Sequence, residues 1–151
     1  MIYVGIDVAK SKHDCYIVDS DGVVHTDSLT ISNDRQGFNK LLETILNALD
    51  GDSIQNAKVG LEHTGHYSIN IKRFLESQGF VVTSFNPLET NAFRKASTLR
   101  KTKTDKCDAK TIATMLFSDD SVPTLTPSYQ LQQLKSIKRN RSIIKGFREK
   151  Q

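Results

Sequence analysis

The chain has 151 residues, a formal net charge of +4, 37% apolar residues and 25% charged residues. This length suffices for one domain that buries a core without disulfides. No apolar run reaches the roughly 20 residues that a membrane-spanning helix needs, and the first residues lack the pattern of a secretory signal. Cys15 and Cys107 form neither a disulfide framework nor a zinc-ligand spacing. The composition therefore predicts a cytoplasmic globular protein with no membrane partner.

The charge is unevenly distributed along the chain. Residues 1–90 hold 7 Lys and Arg against 12 Asp and Glu, whereas residues 91–151 hold 14 against 5. The net charges of the two segments are therefore −5 and +9. A basic segment that follows an acidic body indicates contact with a polyanion, with a solvated basic surface as the alternative.

The beginning of the chain predicts an antiparallel meander of three strands. Ile2–Val8 is a short apolar run typical of a buried strand. A second strand is expected over 13–19 and a third over 23–31, because Asp21-Gly22 between them is a strong hairpin-turn signal.

The following part alternates helices and strands. The predicted elements are, in order, a helix from about 34 to 49, a strand over 57–62, a helix over 67–77, a strand over 80–85, a helix over 88–96, a loop over 97–104 and a helix over 105–118. Three antiparallel strands followed by βα units predict an α/β fold with a mixed sheet and helices on both faces. This is the order expected of an RNase H-like fold.

The last part of the chain predicts a separate region. Residues 119–128 contain Pro123 and Pro127 and are expected to form a linker. Residues 129–151 predict a basic helix with a broken apolar stripe, which we expect either to bury that stripe against another copy of the chain or to remain frayed. The predicted organisation is a domain over 1–118, this linker, and the start of a connector helix.

Two predicted strands carry nearly the same phrase, Val4-Gly5-Ile6-Asp7 and Val59-Gly60-Leu61-Glu62. Alternation places each glycine and its acid on one face of the strand, and we expect the glycine to leave open space beside the acid. If the strands are neighbours, Asp7 and Glu62 face one another. An acid in an apolar run is unfavourable unless it is paired or binds a cation, although Glu62 also fits an ordinary strand end.

Asp105 and Asp108 stand at i and i+3 at the start of a predicted helix, so both lie on one helix face. Taken alone, the pair also fits a helix start, with Asp105 as the N-cap. If this pair converges with Asp7 and Glu62, however, the four carboxylates repel one another unless a cation is bound. Hard oxygen ligands favour Mg²⁺ or Mn²⁺, and two ions about 3.5–4 Å apart are common in phosphodiester enzymes.

Four motifs together resemble those of the DEDD transposases of bacterial insertion sequences, a group related to the Piv DNA invertase. The motifs are Gly5–Lys10, Glu62–Tyr67, Asn86-Pro87 and Lys103–Ala109. The resemblance covers about residues 1–118 and implies a RuvC-like, RNase H-type fold. It implies that Asp7, Glu62, Asp105 and Asp108 bind divalent metal and act in DNA strand cleavage and transfer during DNA transposition.

The resemblance also implies partners. Members of this family carry a C-terminal domain with a catalytic serine and use an element-encoded guide RNA that pairs with donor and target DNA. No counterpart of that domain is present, so we expect the chain to be a fragment or a truncated copy. DNA is therefore the predicted partner, guide RNA a second candidate, and a homo-oligomer through the C-terminal helix a further expectation.

Basic residues border the predicted acid site. The candidates for binding nucleic-acid phosphates are Lys10, Arg94, Lys95, Arg100, Lys101, Lys103 and Lys106. Phosphate binding beside a metal site explains this placement, with a solvated loop as the alternative.

Two other functions stay open from the sequence, and a third is excluded by the length of the chain. A junction-resolving nuclease of the same fold would act alone, and a DNA- or RNA-binding module would keep the acids only as a vestigial site. An actin-like or sugar-kinase ATPase can open with a similar Gly-x-Asp strand, but it needs a second large domain that 151 residues cannot supply.

Overall fold

A computed structural model describes residues 1–63, 65–97 and 105–121, with the backbone alone at residues 97, 105–108 and 121. The strands are β1 (Ile2–Val8), β2 (Lys12–Asp19), β3 (Val24–Ser32), β4 (Ala57–Glu62) and β5 (Val81–Phe85), and the helices are α1 (Arg35–Leu49), α2 (Ile69–Ser77), α3 (Pro87–Ser97) and α4 (Asp105–Ser121). Short 3-10 turns at Ile54–Asn56 and Gly65–Ser68 precede β4 and α2.

The five strands form one mixed sheet in the order β3-β2-β1-β4-β5. β2 is antiparallel to both β1 and β3, whereas β4 is parallel to both β1 and β5. The predicted meander, the βα units and the RNase H-like α/β class are therefore confirmed. The helix predicted over 67–77 begins at Ile69, because Gly65–Ser68 winds as a 3-10 turn instead.

One face of the sheet, which we term the α1 face, carries the large apolar core. Alternate residues of β1 point to this face because successive strand side chains alternate. They pack against the apolar stripes of α1 and α2, and the main contributors are Ile2, Val4, Ile6, Val8, Phe38, Leu41, Ile45, Val59, Leu61, Ile71 and Leu75. α1 begins after its N-cap Asp34, whose Oδ1 accepts a hydrogen bond of 2.8 Å from the Gly37 amide.

The opposite face, which we term the α4 face, packs against α4. Its apolar cluster contains Tyr3, Phe85, Ile112, Met115 and Leu116. The rings of Tyr3 and Phe117 meet edge-on, with centroids 5.6 Å apart. Helices therefore cover both faces of the sheet, as predicted.

Residues 1–119 form one compact unit. α4 ends at Ser121 instead of near Ser118, so this helix continues into the segment predicted to be a linker. The rest of the predicted linker and the basic helix over 129–151 lie outside the described residues, so the domain division stays a prediction.

The helices differ in length and in polarity. Among those that the structure describes, none is both long enough and apolar enough to cross a bilayer.

Candidate metal and nucleic-acid site

Asp7 and Glu62 lie at the same edge of the sheet. β1 and β4 pair in parallel, and Ile6 and Leu61 are their last paired residues, so the two acids occupy the next positions of this register. Because Ile6 and Leu61 point into the core of the α1 face, alternation directs the acids to the α4 face. Both acids are half-buried. The parallel pairing thus brings two of the predicted ligands to the carboxyl ends of neighbouring strands.

The glycines before these acids let α4 approach the sheet. Gly5 and Gly60 are partners in the β1–β4 register. A Cβ atom at Gly5 would overlap the carbonyl oxygen of Ala109 and lie 2.6 Å from the amide nitrogen of Ala113. At Gly60, a Cβ atom would lie 3.0–3.1 Å from three side chains of α4 and β5. The prediction of open space beside Asp7 is therefore wrong. The backbone of α4 fills this space, because glycine allows such a close approach.

α4 runs antiparallel to β1. Ala109 lies over Gly5, whereas Phe117 contacts Tyr3, nearer the amino end of the strand. The point where Ala109 lies over Gly5 is the crossing of α4 and β1. The first turn of α4, which precedes Ala109, therefore extends from this crossing towards the carboxyl end of β1.

The other two predicted ligands belong to that first turn. Asp105 is the first residue of α4 and Asp108 immediately precedes Ala109. Four helical residues rise about 6 Å and two strand residues about 7 Å, so the start of α4 and Asp7 lie at similar distances beyond the crossing. The side chains of Asp105 and Asp108 lie outside the described residues.

The structure adds a carboxylate that the sequence patterns did not single out. Asp14 of β2 is directly opposite Asp7 in the antiparallel register, and its Oδ1 accepts a hydrogen bond of 2.6 Å from the Thr30 hydroxyl. Like charges opposite one another destabilise a strand pair. The sequence could have indicated this pair, because a short turn after Val8 pairs residues that are equally distant from the centre of the turn, and Asp7 and Asp14 are such residues.

The chemistry of this edge suits a hard cation. Burial raises the pKa of the Cys15 thiol, and the charges of Asp14 and Asp7 raise it further, so this thiol stays protonated and unreactive. Carboxylate oxygens are the ligands that Mg²⁺ and Mn²⁺ prefer.

The four predicted ligands divide between described and undescribed side chains. Within residues whose side chains are described, no group of three His, Cys, Asp or Glu is arranged to hold a metal ion. Two of the four predicted ligands are outside that set. The donor chemistry and the strand register fit a divalent metal, and the ligand assignment stays a prediction.

The predicted phosphate-binding residues occupy two described regions. Lys10 is exposed in the turn between β1 and β2, three residues after Asp7. On α3, Lys95 is exposed, and the half-buried Arg94 donates a hydrogen bond of 3.0 Å from Nη1 to Asn91 Oδ1. The remaining candidates, Arg100, Lys101, Lys103 and the side chain of Lys106, lie outside the described residues.

Comparison with known families decides the kind of protein. The family of IS110-type DEDD transposases, described as "Transposase", matches residues 4–149. The chain belongs to this family. The resemblance inferred from the four sequence motifs is thereby confirmed.

A curated relative agrees with this assignment. A Streptomyces coelicolor protein named as the mini-circle putative transposase for IS117 is 30% identical over 118 residues, which is 78% of this chain. The chain spans only 27% of the length of that relative.

Solved structures of Thermus thermophilus RuvC share the fold. RuvC in complex with a Holliday junction substrate aligns with a TM-score of 0.50 and 12% identity, over 80% of this chain and 95% of that chain. A second RuvC structure gives a TM-score of 0.49 and 14% identity, over 80% and 96% of the two chains. At such identities the likeness to the first structure supports the RuvC-like, RNase H-like fold and nothing further.

Proposed function

We propose that this chain is the RNase H-like catalytic domain of a DNA transposase, which cleaves and transfers DNA strands with bound Mg²⁺ or Mn²⁺. The observation that supports the proposal is the parallel register of β1 and β4, in which Asp7 and Glu62 occupy the positions that follow the last paired residues. The first turn of α4 extends towards the same edge. Membership of the transposase family supports DNA as the substrate.

Asp7, Glu62, Asp105 and Asp108 are the residues that would hold two divalent ions. Such ions supply Lewis acidity to phosphodiester chemistry. The chain contributes a rigid arrangement, because Asp7 and Glu62 project from two paired strands and not from loops. Carboxylates that are fixed before the metal arrives lose little further freedom on binding it.

DNA would be held by the candidate phosphate-binding residues. Lys10, Arg94, Lys95, Arg100, Lys101, Lys103 and Lys106 would neutralise backbone phosphates, which makes binding weakly sequence-specific and sensitive to salt. RuvC shares the fold and has been solved in complex with a Holliday junction substrate. This supports a DNA partner for this arrangement.

Three finer proposals follow from the family. An element-encoded guide RNA would be a second nucleic-acid partner, and residues 129–151 would connect to a serine-containing domain or to another copy of the chain. The cytoplasm is the proposed location.

Thermal unfolding in the presence of Mn²⁺ tests the metal site. We expect millimolar Mn²⁺ to raise the melting temperature, because an ion that binds only the folded state stabilises it, by about 2.7 kcal/mol at 100 times its dissociation constant. Asp7→Asn and Glu62→Gln should each remove most of this shift, since each keeps the side-chain size and loses one anionic ligand.

Asp52→Asn is the matched control. Asp52 is exposed and precedes the amino end of β4, the end opposite to Glu62, so the Mn²⁺ shift of this variant should equal that of the unaltered chain. If Mn²⁺ leaves the melting temperature of the unaltered chain unchanged, the catalytic proposal fails and a binding module with vestigial acids is the better description.

A further inference from the structure

The turn between β1 and β2 is held by side chains and not only by its own backbone. The Ala9 amide donates a hydrogen bond of 3.2 Å to His13 Nδ1. Asn33, just after β3, donates from Nδ2 to the Lys10 carbonyl at 3.0 Å, and its backbone amide donates to the Ser11 carbonyl at 3.0 Å. All three residues of the turn, 9 to 11, are thus tied to β2 or to the end of β3.

His13 is an unusual residue for the core that it occupies. It is 0% exposed, and its ring stacks on Phe38 of α1 with centroids 6.4 Å apart and planes 9° from parallel. Burying a polar ring without hydrogen bonds is unfavourable. A buried imidazole at this position therefore points to a requirement that an aliphatic residue does not meet.

The hydrogen bonds define the state of this ring. Because the Ala9 amide donates to Nδ1, that nitrogen is the acceptor and the proton of the neutral ring lies on Nε2. His13 Nε2 and Asn33 Oδ1 are both buried, and among the described residues neither makes a hydrogen bond within ordinary distance and angle limits. The Asn33 side chain nevertheless acts on the ring as a polar neighbour that raises the pKa of His13.

Asn33 therefore joins two parts of the structure. Its Nδ2 donates to the Lys10 carbonyl and its backbone amide donates to the Ser11 carbonyl, so the end of β3 holds the turn that His13 also holds through the Ala9 amide. The backbone of Lys10 is held by Asn33, while the residue itself is exposed and follows Asp7 by three positions. Fixing the backbone reduces the freedom that a lysine must lose when it contacts a phosphate.

We propose that His13 and Asn33 are positioning residues that hold the Lys10 turn so that its ammonium group contacts a DNA backbone phosphate beside the metal-binding edge. This inference rests on the proposed function, because it assumes that DNA approaches that edge. It adds that residues without any contact to DNA determine the strength of one phosphate contact.

A double-mutant cycle on DNA binding tests this coupling. Four proteins would be titrated with a duplex DNA in Ca²⁺ buffer at several salt concentrations. They are the unaltered full chain, Lys10→Ala, Asn33→Ala and the double variant. Lys10→Ala should weaken binding and reduce the slope of log affinity against log salt by about 0.9, the value for a single neutralised phosphate. Asn33→Ala should reproduce a large part of this loss, and the double variant should lose no more than Lys10→Ala alone.

Asp34→Ala is the matched control for stability. It removes the α1 N-cap next to Asn33 and lowers the melting temperature, but the Asp34 carboxylate accepts hydrogen bonds from the Gly37 amide and the Ser32 hydroxyl, and neither group belongs to the turn at residues 9–11. Its effect on DNA affinity should be close to zero at every salt concentration. If Asn33→Ala does not fold, Asn33→Ser replaces it, since serine keeps a polar group but cannot reach both His13 and Lys10.

The outcomes separate this inference from the proposed function. An unchanged salt slope in Lys10→Ala, or losses that simply add in the double variant, overturns the positioning role while the Mn²⁺ response stays intact. If the unaltered chain shows neither a Mn²⁺-dependent rise in melting temperature nor DNA binding, the positioning role and the proposed function are both overturned. Non-additive losses with a normal Mn²⁺ response in Asn33→Ala support the positioning role.

Discussion

The two faces of the sheet are built in opposite ways from the same strands. On the α1 face, β1 and β4 present large aliphatic side chains such as Ile6 and Leu61, both fully buried. On the α4 face, the intervening positions of these strands hold Gly5 and Gly60, followed by the acids. One face therefore provides most of the apolar burial, and the other can accept residues that contribute little to stability.

The α4 face is itself divided along the strands. Near the amino end of β1, Tyr3 and Phe117 pack ring against ring. In the middle, α4 touches the glycine of β1 directly. At the carboxyl end lie Asp7 and, opposite it, Asp14. The aromatic contacts and the close approach fix α4, and the fixed helix in turn determines where its first turn lies.

The largest loss of stability is expected from the α1 face. Ile6→Ala should lower the free energy of unfolding by about 2–5 kcal/mol, because it leaves a cavity in a fully packed region. Denaturant unfolding measures this loss. Val81→Ala, at a position that is 60% exposed, should change the free energy by less than about 0.5 kcal/mol. Similar losses in the two variants would mean that the α1 face does not dominate stability.

A methyl group at Gly5 tests the close approach on the α4 face. Gly5→Ala should destabilise by roughly 1–3 kcal/mol and also remove the Mn²⁺-dependent rise in melting temperature, because the new Cβ must displace the backbone of α4. Gly60→Ala is the comparison, since its Cβ meets side-chain atoms at 3.0–3.1 Å that can shift slightly. If Gly60→Ala is the more damaging change, α4 is held mainly at β4 and the assignment of Gly5 as the crossing point is wrong.

A pH-dependent loss of stability is expected from His13. Burial lowers the pKa of His13 below 6.5, against smaller opposing effects from Asn33, Lys12 and Asp14. The unfolded chain therefore binds the proton first, so this stability is present above pH 6.5 and is lost as the pH falls through the folded-state pKa. Urea unfolding between pH 7 and pH 5 measures it.

The variant His13→Asn provides the control for this titration. Asparagine places a non-titrating acceptor close to the position of Nδ1, so the fall in stability over this range should disappear. Asp19 and Asp34 do not interfere, because their pKa values are lowered from 3.8 and they titrate at lower pH. A pH dependence that persists in His13→Asn would assign it to another group.

The smallest effect on stability is expected from the basic segment. Replacing Arg100, Lys101 and Lys103 together with Ala should change the free energy of unfolding by no more than about 0.5 kcal/mol if these residues serve binding. DNA affinity should fall, and the salt slope should decrease by about 0.9 for each phosphate that is no longer neutralised. Unchanged affinity and slope in this triple variant would refute the assignment of the segment to DNA.

Local sequence patterns were enough to predict the elements and their order. The apolar run of β1, the Asp21-Gly22 turn and the helical spacing before Leu49 each depend on neighbouring residues, so they can be read without a structure. The repeated Gly-x-acid phrase was also sufficient to predict that Asp7 and Glu62 meet if their strands pair, and the strands do pair.

Relations between distant segments could not be read in the same way. That Asp14 faces Asp7 follows from the β1–β2 register, and that Asn33 holds the Lys10 turn follows from packing β3 beside β2. The backbone of α4 lies on Gly5 although more than 100 residues separate Ala109 from that glycine. Local chemistry selects helix, strand and turn, whereas register and close approach depend on the cooperative packing of the whole sheet, because a shift of one residue would exchange its two faces.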